Sequence, residues 1–160
     1  MVRCNKLLAR SQVAQEPVAV NNWRMTLQIC PLDEQRAREM VSWRYEPPYD
    51  VYNFACDEAT VTAAVGYYID PQNGVFAMVD SESGFIGFCS FGEDAKVGGG
   101  DYRVNALDIG MGIRPDMTGR GNGTIYASAA IDYAKIQFDP INLRIAVAKF
   151  NERAQKVWLK

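Results

Sequence analysis

The chain has 160 residues, enough for one domain with a sizeable buried core. Hydrophobic residues make up 48% and charged residues 22%, a balance that belongs to a folded globular chain and excludes a disordered one. A formal net charge of −2 and an isoelectric point near 5.2 supply no basic field for nucleic acid, and no apolar run reaches the length of a membrane span.

Cys4, Cys30, Cys56 and Cys89 are widely spaced and form no C-x-x-C pair, so neither a metal site nor a redox motif is indicated. They read as reduced, mostly buried thiols of a cytoplasmic protein. There is no histidine. Ser-His-Asp and Cys-His catalysis are thereby excluded, and any proton transfer falls to carboxylates, tyrosines, lysine or water.

Residues 1–24 carry four basic residues and a single acid, Glu16, without sustained periodicity, and read as a mobile leader or upstream extension before a domain spanning 25–160. Met25 to Ile29 reads as a strand. Asp33 is placed to cap a helix over Glu34 to Arg44, with Ala37, Met40, Val41 and Arg44 near one face, and Glu46-Pro47-Pro48 stops it. Five rings crowd the next loop: Trp43, Tyr45, Tyr49, Tyr52 and Phe54. They suit either a lid packed on the core or the lining of an acceptor pocket, in which Tyr45, Tyr49 and Tyr52 would contribute hydroxyls.

A second helix is expected over Asp57 to Tyr68, then a hairpin of Val75 to Asp80 and Phe85 to Phe91 around Ser81-Glu82-Ser83-Gly84. Val97 to Asp101 is a glycine-rich surface loop. In the strand Leu107 to Ile113, Leu107, Ile109, Met111 and Ile113 share one face, while Asp108, Gly110 and Gly112 share the other. Two glycines in one strand suit the close approach of a ligand or another backbone. Asp108 on that face is a candidate base, directly or through a water; the structural alternative is a hydrogen-bonded carboxylate. A helix follows over Thr124 to Gln137, with Ile125, Ala129, Tyr133 and Ile136 as its packing stripe. Ile141 to Phe150 alternates as a strand, and Asn151 opens a last helix.

Between the strand ending at Ile113 and the helix starting at Thr124 lies Arg114-Pro115-Asp116-Met117-Thr118-Gly119-Arg120-Gly121-Asn122-Gly123. Glycines at a helix start let backbone N–H groups converge on an anion, helped by the helix dipole. No lysine follows Gly123, as a P-loop requires, and the G-x-G-x-G spacing stands off from the strand, unlike a dinucleotide fingerprint.

Strand, x-P-x-x-x-G-x-G-x-G, helix, strand and then Asn151-Glu152-Arg153-Ala154 resembles the GNAT family of Gcn5-related N-acetyltransferases, from Met25 to Lys160. The resemblance implies an α/β (α+β) fold with a mixed, mostly antiparallel central sheet flanked by helices. The C-terminal hairpin usual in the family is missing from this sequence. It implies acetyl-CoA as co-substrate without a metal, its pyrophosphate held around Thr118, Gly119, Arg120, Gly121, Asn122, Gly123 and Thr124, its pantetheine arm paired with the backbone of Met111 and Ile113, and Asn151 as a further contact. The implied reaction is direct acetyl transfer to a primary amine of a small molecule or protein, with backbone donors stabilising the oxyanion. The implied partners are thus acetyl-CoA and an amine, with no nucleic acid and no membrane. Thr118 stands where the family usually has Gln or Arg, and Trp158 where it usually has a general-acid tyrosine. Those departures leave a non-catalytic acyl-CoA-binding domain as the rival expectation.

Overall fold

The structure, a computed structural model, describes residues 18–22 and 25–159. Six strands form one sheet in sequence order: β1 (Val18–Asn22), β2 (Met25–Pro31), β3 (Val75–Asp80), β4 (Gly84–Phe91), β5 (Leu107–Ile113) and β6 (Leu143–Arg144). Every neighbouring pair is antiparallel except β5 and β6, which run parallel. A parallel pair needs a crossover. Here it is α3 (Gly123–Phe138).

Residues 18–22 correct the expected leader: β1 pairs with β2 from Val18↔Ile29 to Asn22↔Met25, so the domain begins before Met25. Val18 and Val20 are β-branched and alternate, which suits a strand, and the five residues add one to the edge of β2. The rest of the expected leader lies outside the described residues.

The sheet is covered on both faces. On one, α1 (Glu34–Ser42) and α2 (Glu58–Ile69) bury Ala37, Met40, Val41 and Val65 against Val75, Ala77 and Phe85. Asp33 caps α1 by accepting from the Arg36 N–H, and Asp57 caps α2 by accepting from that of Thr60. On the other face, α3 packs on Leu27, Ile29, Phe76, Met78, Ile86 and Ile109.

The buried residues of α3 are Tyr126, Ala127, Ala129, Ala130, Tyr133 and Ala134, so its inner face is rotated from the expected stripe. Ile136 is 64% exposed. The tyrosine rings fill the layer and the alanines let the helix approach, and this pairing of large with small outweighs isoleucine's hydrophobicity. Asp139, in the left-handed region at φ 43, ends α3 just before Pro140.

The expected ten-residue strand from Ile141 to Phe150 is also corrected. Only Leu143 and Arg144 pair, with Leu107 and Asp108. The alternation of apolar residues beyond Arg144 is genuine, but a ladder needs a neighbour within reach, and β5 diverges there.

Of the close approaches expected at Gly110 and Gly112, the structure shows ones made by the protein itself. A Cβ on Gly110 would lie 2.5 Å from the Ser90 hydroxyl, and one on Gly112 would lie 2.3 Å from the Phe88 ring. Gly87 is more constrained still, since its Cβ would meet the Gly112 carbonyl oxygen at 2.6 Å and Ile113 Cδ1 at 2.8 Å. Gly87→Ala is therefore expected to cost about 2 kcal/mol or more in urea unfolding, because backbone cannot move aside cheaply. Gly98→Ala, with nothing within 4 Å of its Cβ, should change stability by less than about 0.5 kcal/mol. Equal effects would contradict this packing.

Candidate active site

The site lies where β5 and β6 part. Leu107 donates its N–H to the Asn142 carbonyl on the β6 side. Because backbone groups alternate along a strand, Ile109, Met111 and Ile113 also aim their N–H and C=O groups to that side. Arg114, of opposite parity, confirms the phase by donating to Ile86 of β4. Pairing with β6 stops at Arg144, so the backbone groups of Met111 on that side have no strand partner among the described residues; the space between β5 and the chain after Arg144 is called the slot below. Met111 and Ile113 thus lie on this edge of β5, with the Ile113 carbonyl accepting from the Tyr45 hydroxyl.

Asp108 sits at the crotch of the slot and is 2% exposed. Directly opposite it in the strand register, Arg144 donates from Nε to Oδ1 at 2.6 Å and from Nη2 to Oδ2 at 2.8 Å. Arg144 also donates to the Val104 carbonyl and stacks on the Tyr102 ring, 4.6 Å from its centroid. With both oxygens engaged by a guanidinium, the carboxylate is an anchor joining two strands and is badly placed to accept a proton. The geometry favours the structural alternative for Asp108.

At the other end of β5, Pro115–Met117 forms a single 3-10 turn that leads into the glycine turn. Gly119 and Gly121 have φ of 75° and 83°, conformations that a side chain would strain. Gly123 serves a different purpose: its Cβ would meet Val157 of α4 (Glu152–Trp158) at 2.6 Å, so glycine lets α4 dock on the start of α3. Asn122 precedes α3 but makes no side-chain cap. From Gly119 to Thr124, no backbone N–H has a protein partner among the described residues. A row of unsatisfied donors at a helix N-terminus is suited to phosphate oxygens. Arg120 folds back, donating from Nε to the Asp116 carbonyl at 2.8 Å.

Asn151 caps α4, its Oδ1 accepting from the Ala154 N–H at 3.1 Å. Its Nδ2 donates to the Tyr52 hydroxyl at 3.2 Å. Thr118 donates its hydroxyl to the Pro115 carbonyl and accepts from Arg153 Nη1 at 3.2 Å. The three tyrosines converge on the same place: Tyr45 donates to the Ile113 carbonyl at 2.9 Å, and the Tyr49 ring lies 3.5 Å from the Arg153 guanidinium. Burial pushes the Tyr45 phenol up to about 12, against a smaller opposing pull from Arg153, so it remains a donor at neutral pH. Trp158 packs partly buried against the α3 core.

Three contributors were not singled out in the sequence: Arg144, Arg153 and Phe150. Arg153 is inside the Asn151 motif. Arg144 carried a readable signal, one of two cations in an otherwise mostly apolar run, matching a lone anion in β5. Phe150, packed on Tyr49 and Tyr52 at centroid distances of 6.3 and 5.9 Å, carried none. Among the described residues, no group of three or more His, Cys, Asp or Glu is placed to hold a metal, and no helix is long and apolar enough to cross a membrane.

The family model described as "Acetyltransferase (GNAT) domain" matches residues 7–160. A spermidine N-acetyltransferase chimera from Vibrio cholerae and hSSAT has the same fold at 17% identity and TM-score 0.63, covering 83% of this chain and 77% of that one. A GNAT-family acetyltransferase structure from Bordetella pertussis is similar at 15% identity and TM-score 0.62, covering 89% and 84%. One from Bacillus anthracis is similar at 15% identity and TM-score 0.59, covering 83% and 76%. No curated protein sequence matches the chain.

If Asp108–Arg144 is an anchor, Asp108→Ala should destabilise the protein by about 3 kcal/mol in urea unfolding, by leaving Arg144 uncompensated. The double variant Asp108→Leu with Arg144→Met should recover most of that loss. A single-variant loss below about 1 kcal/mol would contradict the anchor.

Proposed function

The chain belongs to the GNAT acetyltransferase family, and from that premise we propose that it moves the acetyl group of acetyl-CoA to a primary amine of a small molecule or protein by direct transfer. The observation that carries this reading is the slot itself. A strand edge with open backbone groups at Met111 runs into six successive N–H groups without protein partners, Gly119 to Thr124. The first suits the amides of a pantetheine arm and the second a pyrophosphate, in the order in which CoA presents them.

Acetyl-CoA supplies the activated thioester acyl group. The residues of the chain bind and orient it. Gly119, Gly121, Asn122, Gly123 and Thr124 direct backbone donors at phosphate oxygens, with Thr118, Arg120 and Arg153 beside them. Met111 and Ile113 align the arm along β5, and Asn151 holds the far wall. Backbone N–H groups at the parting of the strands can meet charge developing on the acyl oxygen without moving, which is where such donors are worth most. The amine's proton passes to water, since Asp108 is engaged by Arg144. Most of the acceleration then comes from holding two substrates in reacting geometry.

The rival reading, an acyl-CoA-binding domain without catalysis, draws on the locked Asp108 and on Trp158 at the position of the family's usual acid. Thiol release separates the two.

Titration with acetyl-CoA, followed by tryptophan fluorescence, should show saturable binding, and a panel of primary amines should then release CoA thiol. Gly121→Val, which forces a β-branched residue to positive φ, should raise the acetyl-CoA Kd by about tenfold or more. Binding that is unchanged in Gly121→Val would contradict a pyrophosphate site at this turn.

A further inference from the structure

The segment from Tyr45 to Asn53 lies across the mouth of the slot, and each of its tyrosines engages a group that the proposed acetyl-CoA site requires. The Tyr45 hydroxyl takes the Ile113 carbonyl at 2.9 Å, one of the edge groups aimed into the slot. The Tyr52 hydroxyl takes Asn151 Nδ2 at 3.2 Å. The Tyr49 ring lies against Arg153 at 3.5 Å, and Arg153 in turn donates to Thr118 at the entrance of the glycine turn. Phe150 stacks beside both rings from the opposite wall.

The segment is braced to move as a unit. Tyr45 N–H donates to Asn53 Oδ1 at 2.7 Å, and Asn53 Nδ2 donates back to the Tyr45 carbonyl at 3.1 Å. Its two ends are fixed. Trp43 is buried against Phe85 with ring centroids 5.3 Å apart, and Phe54 meets Tyr68 edge-on at 5.8 Å. Between these anchors the Tyr45 ring also packs on the core beneath α1 and α2, while the polar contacts of the segment are made to the slot or to the segment itself.

We propose that Tyr45–Asn53 is a self-occluding strap, which closes the slot in the free protein and which acetyl-CoA must displace in order to bind. The inference rests on the acetyl-CoA reading above. It adds that the same backbone and side-chain groups serve two exclusive partners, the strap and the co-substrate. Apart from the part-buried Tyr45 ring, the contacts are individually modest, neutral hydrogen bonds or an exposed cation–π pair, so the rest of the strap is releasable about that end. Its cost appears as a weakened apparent affinity, because only the open fraction of the protein is competent to bind. Displacement also frees the three tyrosines beside the thioester track.

The test uses the full chain and acetyl-CoA as probe. The double variant Tyr45→Phe with Tyr52→Phe keeps both rings and removes only the two hydroxyl contacts. By calorimetry it should bind acetyl-CoA roughly 3- to 10-fold more tightly than the wild type. In the unaltered protein, acetyl-CoA should speed amide hydrogen exchange in residues 45–54 while slowing it in residues 118–124; this second measurement decides the matter if the variant does not fold. Unchanged or weaker affinity in a folded double variant, or ligand-induced protection of residues 45–54, overturns the strap and leaves acetyl-CoA binding standing. Binding seen in the double variant alone supports the strap. Absence of binding in both proteins overturns the functional reading, and the strap with it.

Discussion

Two strands that lie parallel for two residues and then separate determine most of what this molecule can do. The Asp108–Arg144 pair fixes the point of contact. It sits at matched register positions, is largely buried, and has both carboxylate oxygens engaged. A buried ion pair of this kind is a poor source of net stability, but loss of either partner leaves the other charge uncompensated. With the strands pinned at their base, the divergence beyond Arg144 becomes a feature of the fold. Backbone polar groups inside a protein are ordinarily paired. At Met111 they are left available beside a helix start whose own donors are also available.

The two halves of the slot are built by different means. Along β5 the opening comes from topology: α3 carries the chain over to a parallel neighbour that meets β5 only at its beginning. At the glycine turn it comes from local conformation. Gly119 and Gly121 permit the positive φ values that turn successive N–H groups outward, while Gly123 admits Val157 so that α4 can support the turn from behind. Both halves depend on the close approach of α3 to the sheet, which the alanines of its inner face allow.

Much of this was legible in the sequence, where local chemistry governs the outcome. β5 runs from Leu107 to Ile113 as its alternation indicates, because Pro115 removes any option of extending it. Asp33 and Asn151 cap their helices because a short acceptor one turn from a free N–H has little else to do. Features set by distant neighbours were not legible. Ile141 to Phe150 has the pattern of a strand, but whether it pairs is decided by where β5 goes. Gly110 and Gly112 look like room for a ligand until Ser90 and Phe88 are found beside them. Asp108 invites a catalytic role until Arg144, thirty-six positions away in the chain, takes both its oxygens. The aromatic loop was readable as a cluster, but its attachment to Ile113, Asn151 and Arg153 belongs to tertiary structure alone.

The central claim is that the open edge of β5 is where the acetyl donor lies, and amide-resolved hydrogen exchange by NMR addresses it most directly. Exchange of the Met111 N–H, which has no protein partner in the free protein, should slow by about tenfold or more with saturating acetyl-CoA, as it gains a partner along the slot. The Leu107 N–H, already bonded to Asn142, should be protected in both states. Saturation with acetyl-CoA that leaves Met111 exchange unchanged would contradict the account.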